Sequence, residues 1–121
     1  MIQVELRNDE GILIVKPLRP LAKEDFTAIA HTADGYIQSQ GALNGLIICF
    51  ETFPGWKNLQ GLCSHLRFVR DHQRKIRKVA FVTNSKIVKF VINIVKYIVH
   101  PEARYFEYNQ ESTAMQWIGA L

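Results

Sequence analysis

The stretch KVAFVTNSKIVKFVINIVKYIVHP, residues 78–101, decides the fold class because two hydrophobic periods meet in it. KVAFVT at 78–83 is a short, continuous apolar run of the kind found in central β-strands. The polar side chains that follow recur at intervals of 3, 4, 3 and 4, at Lys86, Lys89, Asn93, Lys96 and His100. That spacing predicts a helix over 85–99, capped at its start by Asn84 or Ser85 and closed by Pro101.

The apolar surface of this predicted helix is larger than a sheet can cover. At about 100° per residue, its polar positions fall within a sector about 80° wide, and Ile, Val, Phe and Tyr fill the rest. A surface helix normally turns a narrower apolar stripe toward the core. The remainder needs another cover: a helix, a second subunit, a bound ligand or a bilayer. The helix cannot span a membrane, because about 15 residues reach roughly 20 Å against a hydrocarbon core of about 30 Å.

The other elements follow from the same two periods. Strands are predicted at 2–7, 12–16, 46–50, 78–83 and 104–108. Helical spacing predicts helices between the later strands and a terminal helix over 112–118, and QGALNG at 40–45 breaks the first helix. The order β-β-α-β-α-β-α-β-α indicates an α/β fold: a mixed five-stranded sheet with a parallel centre, an initial antiparallel hairpin and about four helices.

The second predicted helix, after the loop ETFPGW at 51–56, has an apolar seam and a basic face. The seam residues, predicted to face the core, are Leu59, Leu62, Cys63, Leu66 and Val69. The basic face carries Arg67, Arg70 and Arg74.

Length and composition are those of a single globular domain over 1–121. The N-terminal residues alternate and carry no basic leader, so we expect a cytoplasmic protein, at most peripheral to the inner membrane. Cys49 and Cys63 lie in apolar patterns, which indicates two small buried hydrophobes rather than a disulfide or a zinc site.

Charge is unevenly distributed along the chain. Between Asp71 and Glu102 there is no acidic residue, and this segment carries +7 while the remainder carries −3 of the total of +4. Such asymmetry indicates either a solvated basic surface or an anionic partner. Nucleic acid is disfavoured as that partner, because RFVRDHQRKIRK at 67–78 crosses from a helix into a strand and holds Phe68 as its only aromatic residue.

Four stretches resemble the SpoIIAA-like family of small bacterial proteins, over roughly residues 11–119. They are PLAKEDF at 20–26, FPGW at 53–56, LRFVRDHQRKIRKVAFVTNSK at 66–86 and EARYFEYNQESTAMQWI at 102–118. The resemblance implies the STAS fold of anti-sigma-factor antagonists. It also implies an architecture similar to the CRAL-TRIO lipid carriers, in which a mobile helix covers an apolar pocket.

The serine phospho-switch of anti-sigma-factor antagonists is not expected here. It needs a Ser at the start of the helix after the third strand, where free N–H groups and the helix dipole favour a phosphate. The phosphorylated proteins read Asp-Ser-Ser-Gly there, whereas this chain reads TFPGWK at 52–57. Thr52 lies beside the strand rather than at the helix start, so it does not replace the serine.

No catalytic, metal or cofactor chemistry is predicted. The histidines are scattered and are interpreted as surface or capping residues: His31, His65, His72 and His100. Glu51, at the carboxyl end of a strand, has no evident partner, and the sequence contains no Gly-rich phosphate loop.

These observations favour a non-enzymatic binding module that holds an apolar, lipid-like ligand under the 85–99 helix and touches anionic membranes reversibly. The helix would move as a lid. The residues expected to line the ligand or enter the membrane are Phe53, Trp56, Ile87, Phe90, Val91, Ile94, Tyr97 and Ile98. The lysines expected to contact lipid headgroups are Lys86, Lys89 and Lys96. Phe53 and Trp56 have a second interpretation, as plugs of the core beneath their loop.

The alternative is a protein-interaction module whose apolar surface is covered by a partner or by a second copy of the chain. A homodimer is its simplest form. Dimerisation depends on protein concentration, whereas membrane binding depends on anionic lipid and weakens with salt.

Overall fold

Strands and helices alternate along the chain in the predicted order. The computed structural model describes residues 2–95, 97 and 101–119. The strands there are β1 (Ile2–Arg7), β2 (Ile12–Pro17), β3 (Leu43–Cys49), β4 (Ile76–Val82) and β5 (Glu102–Phe106). The helices are α1 (Lys23–Gln40), α2 (Leu59–His72), α3 (Lys86–Val95) and α4 (Glu111–Gly119), and a 3₁₀ turn at Gln73–Lys75 joins α2 to β4. The predicted end of α3, at 99, lies outside the described residues.

The sheet has the strand order β1-β2-β3-β4-β5 and the predicted parallel centre. β1 pairs antiparallel with β2, and the pairs from β2 to β5 are parallel. The hairpin turns at Gly11, whose φ of 68° favours glycine and whose N–H donates to the carbonyl of Arg7. The predicted hairpin and mixed sheet are therefore confirmed.

β3 begins at Leu43 rather than at 46, because two glycines have different roles in QGALNG. Gly41, with a φ of 91°, ends α1 and donates its N–H to the carbonyl of Ile37. Gly45 is a strand residue: Ile118 of α4 packs so closely on it that a Cβ there would collide with the isoleucine side chain. The second glycine marks a close helix contact, not a loop.

The helices divide between the two faces of the sheet. Leu13 and Leu46 pack with Phe26 of α1 in one apolar cluster. Ile47 packs with Ile118 of α4 in the other. Right-handed crossovers place α1 and α2 on the same face, and the returning α4 covers the opposite one.

α3 lies over the edge strand β5, on the face that α1 and α2 share. The ammonium group of Lys89 sits 5.2 Å from the centre of the Tyr105 ring. The next side chain, Phe106, points to the opposite face, where its ring lies 5.7 Å from that of Trp117 in α4.

The predicted apolar seam of α2 is wrong for three of its five residues. Leu59, Cys63 and Leu66 are exposed, so the prediction of a buried Cys63 is also wrong, although Cys49 is buried as predicted. The buried residues of α2 are Gly61 and His72, and a Cβ at Gly61 would collide with the carbonyl oxygen of Leu21. This close approach sets the rotation of the helix and turns these three side chains outward, whereas Leu62 and Val69 of the predicted seam are half-buried.

Candidate functional site

α3 presents a buried side, a polar side and an exposed apolar side. Ile92, which is 2% exposed, and the half-buried Val88 face the sheet. Lys86, Lys89 and Asn93 are exposed on the polar side. The apolar side consists of Ile87 (77% exposed), Phe90 (66%), Val91 (46%) and Ile94 (50%). These four residues span a sector of about 100° and are called here the outer surface of α3.

The outer surface of α3 points away from the sheet. Its four residues were expected either to line a ligand beneath the helix or to enter a membrane, and their outward direction favours the second of these alternatives. Tyr97, in the turn after α3, is exposed as well. Their contact with a ligand or membrane stays a prediction, and Lys96 and Ile98 lie outside the described residues.

The charge beside the outer surface is positive. α3 carries Lys86 and Lys89 and contains no acidic residue between Lys86 and Val95. Lys86 lies one turn before Phe90, so its ammonium group borders the apolar side chains. An anionic surface would therefore meet both attractive charge and apolar contact here.

The start of α3 is anchored by hydrogen bonds. The Oγ of Ser85 accepts the N–H of Val88 at 3.3 Å, so Ser85 is the capping residue of the predicted pair. The Ser85 N–H donates to the hydroxyl oxygen of Thr83 at 3.1 Å. That hydroxyl and the N–H of Asn84 both donate to the carbonyl of Glu51, at the end of β3. The helix start is thus tied to the sheet by polar contacts, whereas its body rests on a narrow apolar side.

The face of the sheet that α1, α2 and α3 share is incompletely covered over β4. Val79 and Phe81 of β4 are only half-buried, whereas Ala80 and Val82 on the opposite face are fully buried. Central strands of a parallel sheet normally have both faces covered. Sequence reasoning missed Val79 and Phe81, because KVAFVT has the same pattern whether both faces are covered or one is partly open.

Trp56 packs against α2, and Phe53 lies against Trp56 and Phe50. The ring of Phe53 lies 5.5 Å from that of Phe50 and 5.1 Å from that of Trp56. The indole N–H of Trp56 donates to Nδ1 of His65 at 3.2 Å, and Trp56 remains partly exposed. These contacts support the interpretation of both residues as plugs beneath the loop; a ligand role for them stays a prediction.

The backbone of this loop is held by the segment that precedes α1. Leu21 donates its N–H to the carbonyl of Gly55 and accepts the N–H of Lys57, each at 2.7 Å. The part of the loop that contains Gly55 and Trp56 therefore belongs to the junction of α1 and α2, whereas Glu51 at the start of the loop accepts hydrogen bonds from Thr83 and Asn84 beside α3.

A cavity of about 490 Å³ opens at the carboxyl edge of the sheet. Its lining mixes polar and apolar side chains: Lys16, Glu51, Thr52, Leu18, Phe50 and Pro54. Cys49 lines the cavity as well. Its thiol donates to Oε1 of Glu111 at 3.6 Å, and Lys16 pairs with the same oxygen at 3.3 Å. Burial, reinforced by the Glu111 charge, raises the pKa of Cys49 to about 11, so this thiol stays protonated and is a poor nucleophile.

The interpretation of the histidines as surface or capping residues is wrong for His65 and His72. His72 is buried, with Nδ1 2.9 Å from the carbonyl of Phe68 and Nε2 2.8 Å from Oδ1 of Asp34. Both ring nitrogens therefore have hydrogen-bond partners within the protein. His65 is half-buried between Phe26 and Trp56, and burial lowers its pKa.

The remaining histidines add no site. His31 is exposed on α1, and His100 lies outside the described residues. Within residues 2–95, 97 and 101–119, no group of three or more His, Cys, Asp or Glu side chains is placed to hold a metal ion. Over the same residues, no helix combines the length and apolar character needed to cross a bilayer.

Comparison with known proteins identifies the fold family. A family model described as SpoIIAA-like matches residues 12–119. The solved structure of an uncharacterized protein from the DUF3478 family with a SpoIIAA-like fold, from Shewanella loihica PV-4, is similar with a TM-score of 0.76 and 16% identity. The match covers 98% of this chain and 92% of that chain, which supports the predicted fold. No curated protein matches the chain. The likeness to CRAL-TRIO carriers stays a prediction.

Proposed function

This chain belongs to the SpoIIAA-like family, whose fold serves as a binding or regulatory module, and we propose that it binds anionic membranes reversibly through the outer surface of α3. The proposed role is non-enzymatic. The observation that carries it is the exposure of four large apolar side chains on one side of a helix whose charged residues are all lysines.

The free energies expected for apolar burial and for lysine–lipid attraction favour a helix that lies in the membrane interface. A large apolar side chain gains about 1.5–3 kcal/mol when it is fully removed from water. A lysine near an anionic leaflet contributes about 1 kcal/mol. The apolar side chains therefore provide most of the affinity, and Lys86 and Lys89 make it depend on anionic lipid. With a length of about 15 Å, α3 lies along the interface rather than across the bilayer.

We propose further that an apolar, lipid-like molecule binds between β4 and α3. Val79 and Phe81 provide a half-covered apolar floor for it. α3 would tilt away from the sheet about its anchored start at Ser85, at the expense of the contacts of Val88 and Ile92. A membrane that contacts the outer surface would favour the tilted state together with the ligand. Only in that state does the helix have apolar contact on both sides, with the membrane on its outer surface and with the ligand on the side that carries Val88 and Ile92.

The membrane part is tested by vesicle co-sedimentation with phosphatidylcholine vesicles, with and without 30 mol% phosphatidylglycerol. The double variant Ile87→Ser with Phe90→Ser is expected to weaken binding to anionic vesicles by more than about 10-fold, a loss of more than about 1.4 kcal/mol. Lys86→Glu with Lys89→Glu should abolish the preference for anionic lipid. Leu18→Ser is the matched control, because Leu18 is an exposed large apolar residue outside α3.

Unchanged binding of both α3 variants would contradict the membrane proposal. A wild-type chain that dimerises with rising concentration, together with monomeric α3 variants, would assign the outer surface to a second copy of the chain instead.

The ligand part is tested by native mass spectrometry of freshly purified protein against a solvent-extracted sample. An apolar adduct on the monomer, weakened by Phe81→Ser, is the expected result. Protein without an adduct that also fails to take up a fluorescent fatty acid would contradict this part alone.

A further inference from the structure

α2 carries a second exposed apolar surface, at the positions predicted to face the core. Leu59 is 73% exposed and Leu66 is 62% exposed, with the exposed Cys63 between them. At about 100° per residue, Arg67 and Arg70 fall next to these side chains. The five residues are called here the outer surface of α2.

The outer surface of α2 has the same chemistry as that of α3. Arg67 and Arg70 are exposed, and Asp71, which accepts the Nε–H of Arg70 at 2.9 Å, is the single acidic residue of the helix. Arg74 and Lys75 follow in the 3₁₀ turn and are exposed as well. Apolar side chains are thus bordered by a positive charge that one carboxylate does not neutralise.

The position of α2 brings the two surfaces to one side of the molecule. α2 connects β3 to β4 and α3 connects β4 to β5, so successive crossovers cover the same face of the sheet. A flat anionic surface that meets α3 from this side therefore also approaches α2.

We propose that the outer surface of α2 is a second membrane contact, with Leu59 and Leu66 in the headgroup layer and Arg67 and Arg70 on lipid phosphates. This inference rests on the proposed function of α3. An anionic membrane fits the basic residues of α2, whereas a second copy would bring the same net positive charge to both sides of the interface. Two membrane contacts carried by one chain act together, so the loss of either one weakens the binding of the whole protein.

Cys63 provides a reporter in the middle of this surface. An environment-sensitive fluorophore attached to Cys63 is expected to shift to the blue with anionic vesicles, and the shift should diminish with salt. Cys49 is buried and its thiol stays protonated, so labelling is selective. The matched control carries the label on α4, in the double variant Cys63→Ser with Ser112→Cys, and its emission should not change.

A second variant separates this inference from the proposed function. Leu59→Ser with Leu66→Ser should weaken anionic-vesicle binding by about 10-fold, and both positions are too exposed for the fold to depend on them. Wild-type binding by this variant together with an unshifted Cys63 label, while the α3 variants lose binding, would overturn the α2 contact alone. If every α3 variant binds anionic vesicles as tightly as the wild-type chain does, the proposed function itself is overturned. A blue shift that rises with protein concentration in the absence of vesicles would assign α2 to a second copy and overturn the inference.

Discussion

α3 and α4 are helices of similar length on opposite faces of one sheet, and the more apolar of the two is the less buried. α3 reads KIVKFVINIV and α4 reads ESTAMQWIG. α4 buries Ala114 and Ile118, whereas α3 leaves four large apolar side chains exposed. The apolar content of a helix therefore does not measure its share of the core, and apolar surface beyond what the sheet covers needs another explanation.

The difference follows from where each helix crosses the sheet. α4 lies over the centre, where Ile118 meets Gly45 of β3 and the ammonium of Lys78 in β4 donates to the carbonyl of Trp117. α3 lies over β5, the edge strand. A helix over the centre is surrounded by neighbouring strands, whereas a helix over an edge has one side without any.

The largest expected effect is on the free energy of unfolding, which should fall when a buried side chain of α4 is truncated but not when one on the outer surface of α3 is. Ile118→Ala is expected to lower the free energy of unfolding by about 2–5 kcal/mol, because it leaves a cavity beside β3. Ile87→Ala, the matched change on α3, should alter it by less than about 0.5 kcal/mol. Urea denaturation followed by circular dichroism measures both. A large loss for Ile87→Ala would show that the outer surface of α3 is covered in solution.

An intermediate effect concerns the α1–α2 layer, which contains His31, His65 and His72. Burial lowers the pKa of His65 in the folded protein below its ordinary value of 6.5. As the pH falls below 6.5, the unfolded chain therefore binds more protons than the folded one, and the free energy of unfolding decreases until the lowered pKa is passed. A protonated Nδ1 also cannot accept the indole N–H of Trp56.

The pH effect is measured as the urea midpoint between pH 7.5 and pH 5. His65→Phe keeps a ring beside Phe26 but cannot titrate, so its midpoint should fall less over this range. In a Trp117→Phe background, the fluorescence of Trp56 should change over the same range. Equal slopes for the two proteins would refute a contribution from His65.

The smallest effect does not involve stability: it is a difference between the rates at which the two cysteines are modified. At pH 8 a thiol reagent should modify Cys63 rapidly and Cys49 slowly, because Cys49 is buried and its pKa is raised to about 11. Titration of the native protein should give one fast thiol, and the urea-unfolded protein should give two. Rapid modification of both in the native state would mean that the α4 face opens readily.

The α2 helix illustrates where sequence reasoning succeeds and where it fails. Its existence followed from helical spacing, and it starts as predicted after the PGW loop, with the side chain of Asn58 accepting the N–H of Gly61. Its orientation did not follow. Leu59 and Leu66 fit a core seam by pattern, yet the close contact of Gly61 with Leu21 outweighed that pattern.

The candidate site was predictable only in part. Composition and spacing identified α3 as a helix with more apolar surface than a sheet covers, and they identified its lysines. They did not reveal that Ile87 and Phe90 point outward, or that Val79 and Phe81 remain half-covered. Each of these depends on the distance between a helix and strands that are remote in the chain.

The sequence by itself determined the order of strands and helices and the mixed sheet, since hydrophobic periods and turn residues act over a few neighbouring positions. The family followed from the resemblance of whole stretches such as FPGW at 53–56, not from those periods. Only the tertiary structure decided which face each helix covers, how α2 and α3 are rotated, and which apolar side chains remain exposed. Rotation is set by close contacts such as Gly45 with Ile118 and Gly61 with Leu21. Such contacts join residues far apart in the chain, and no local pattern encodes them.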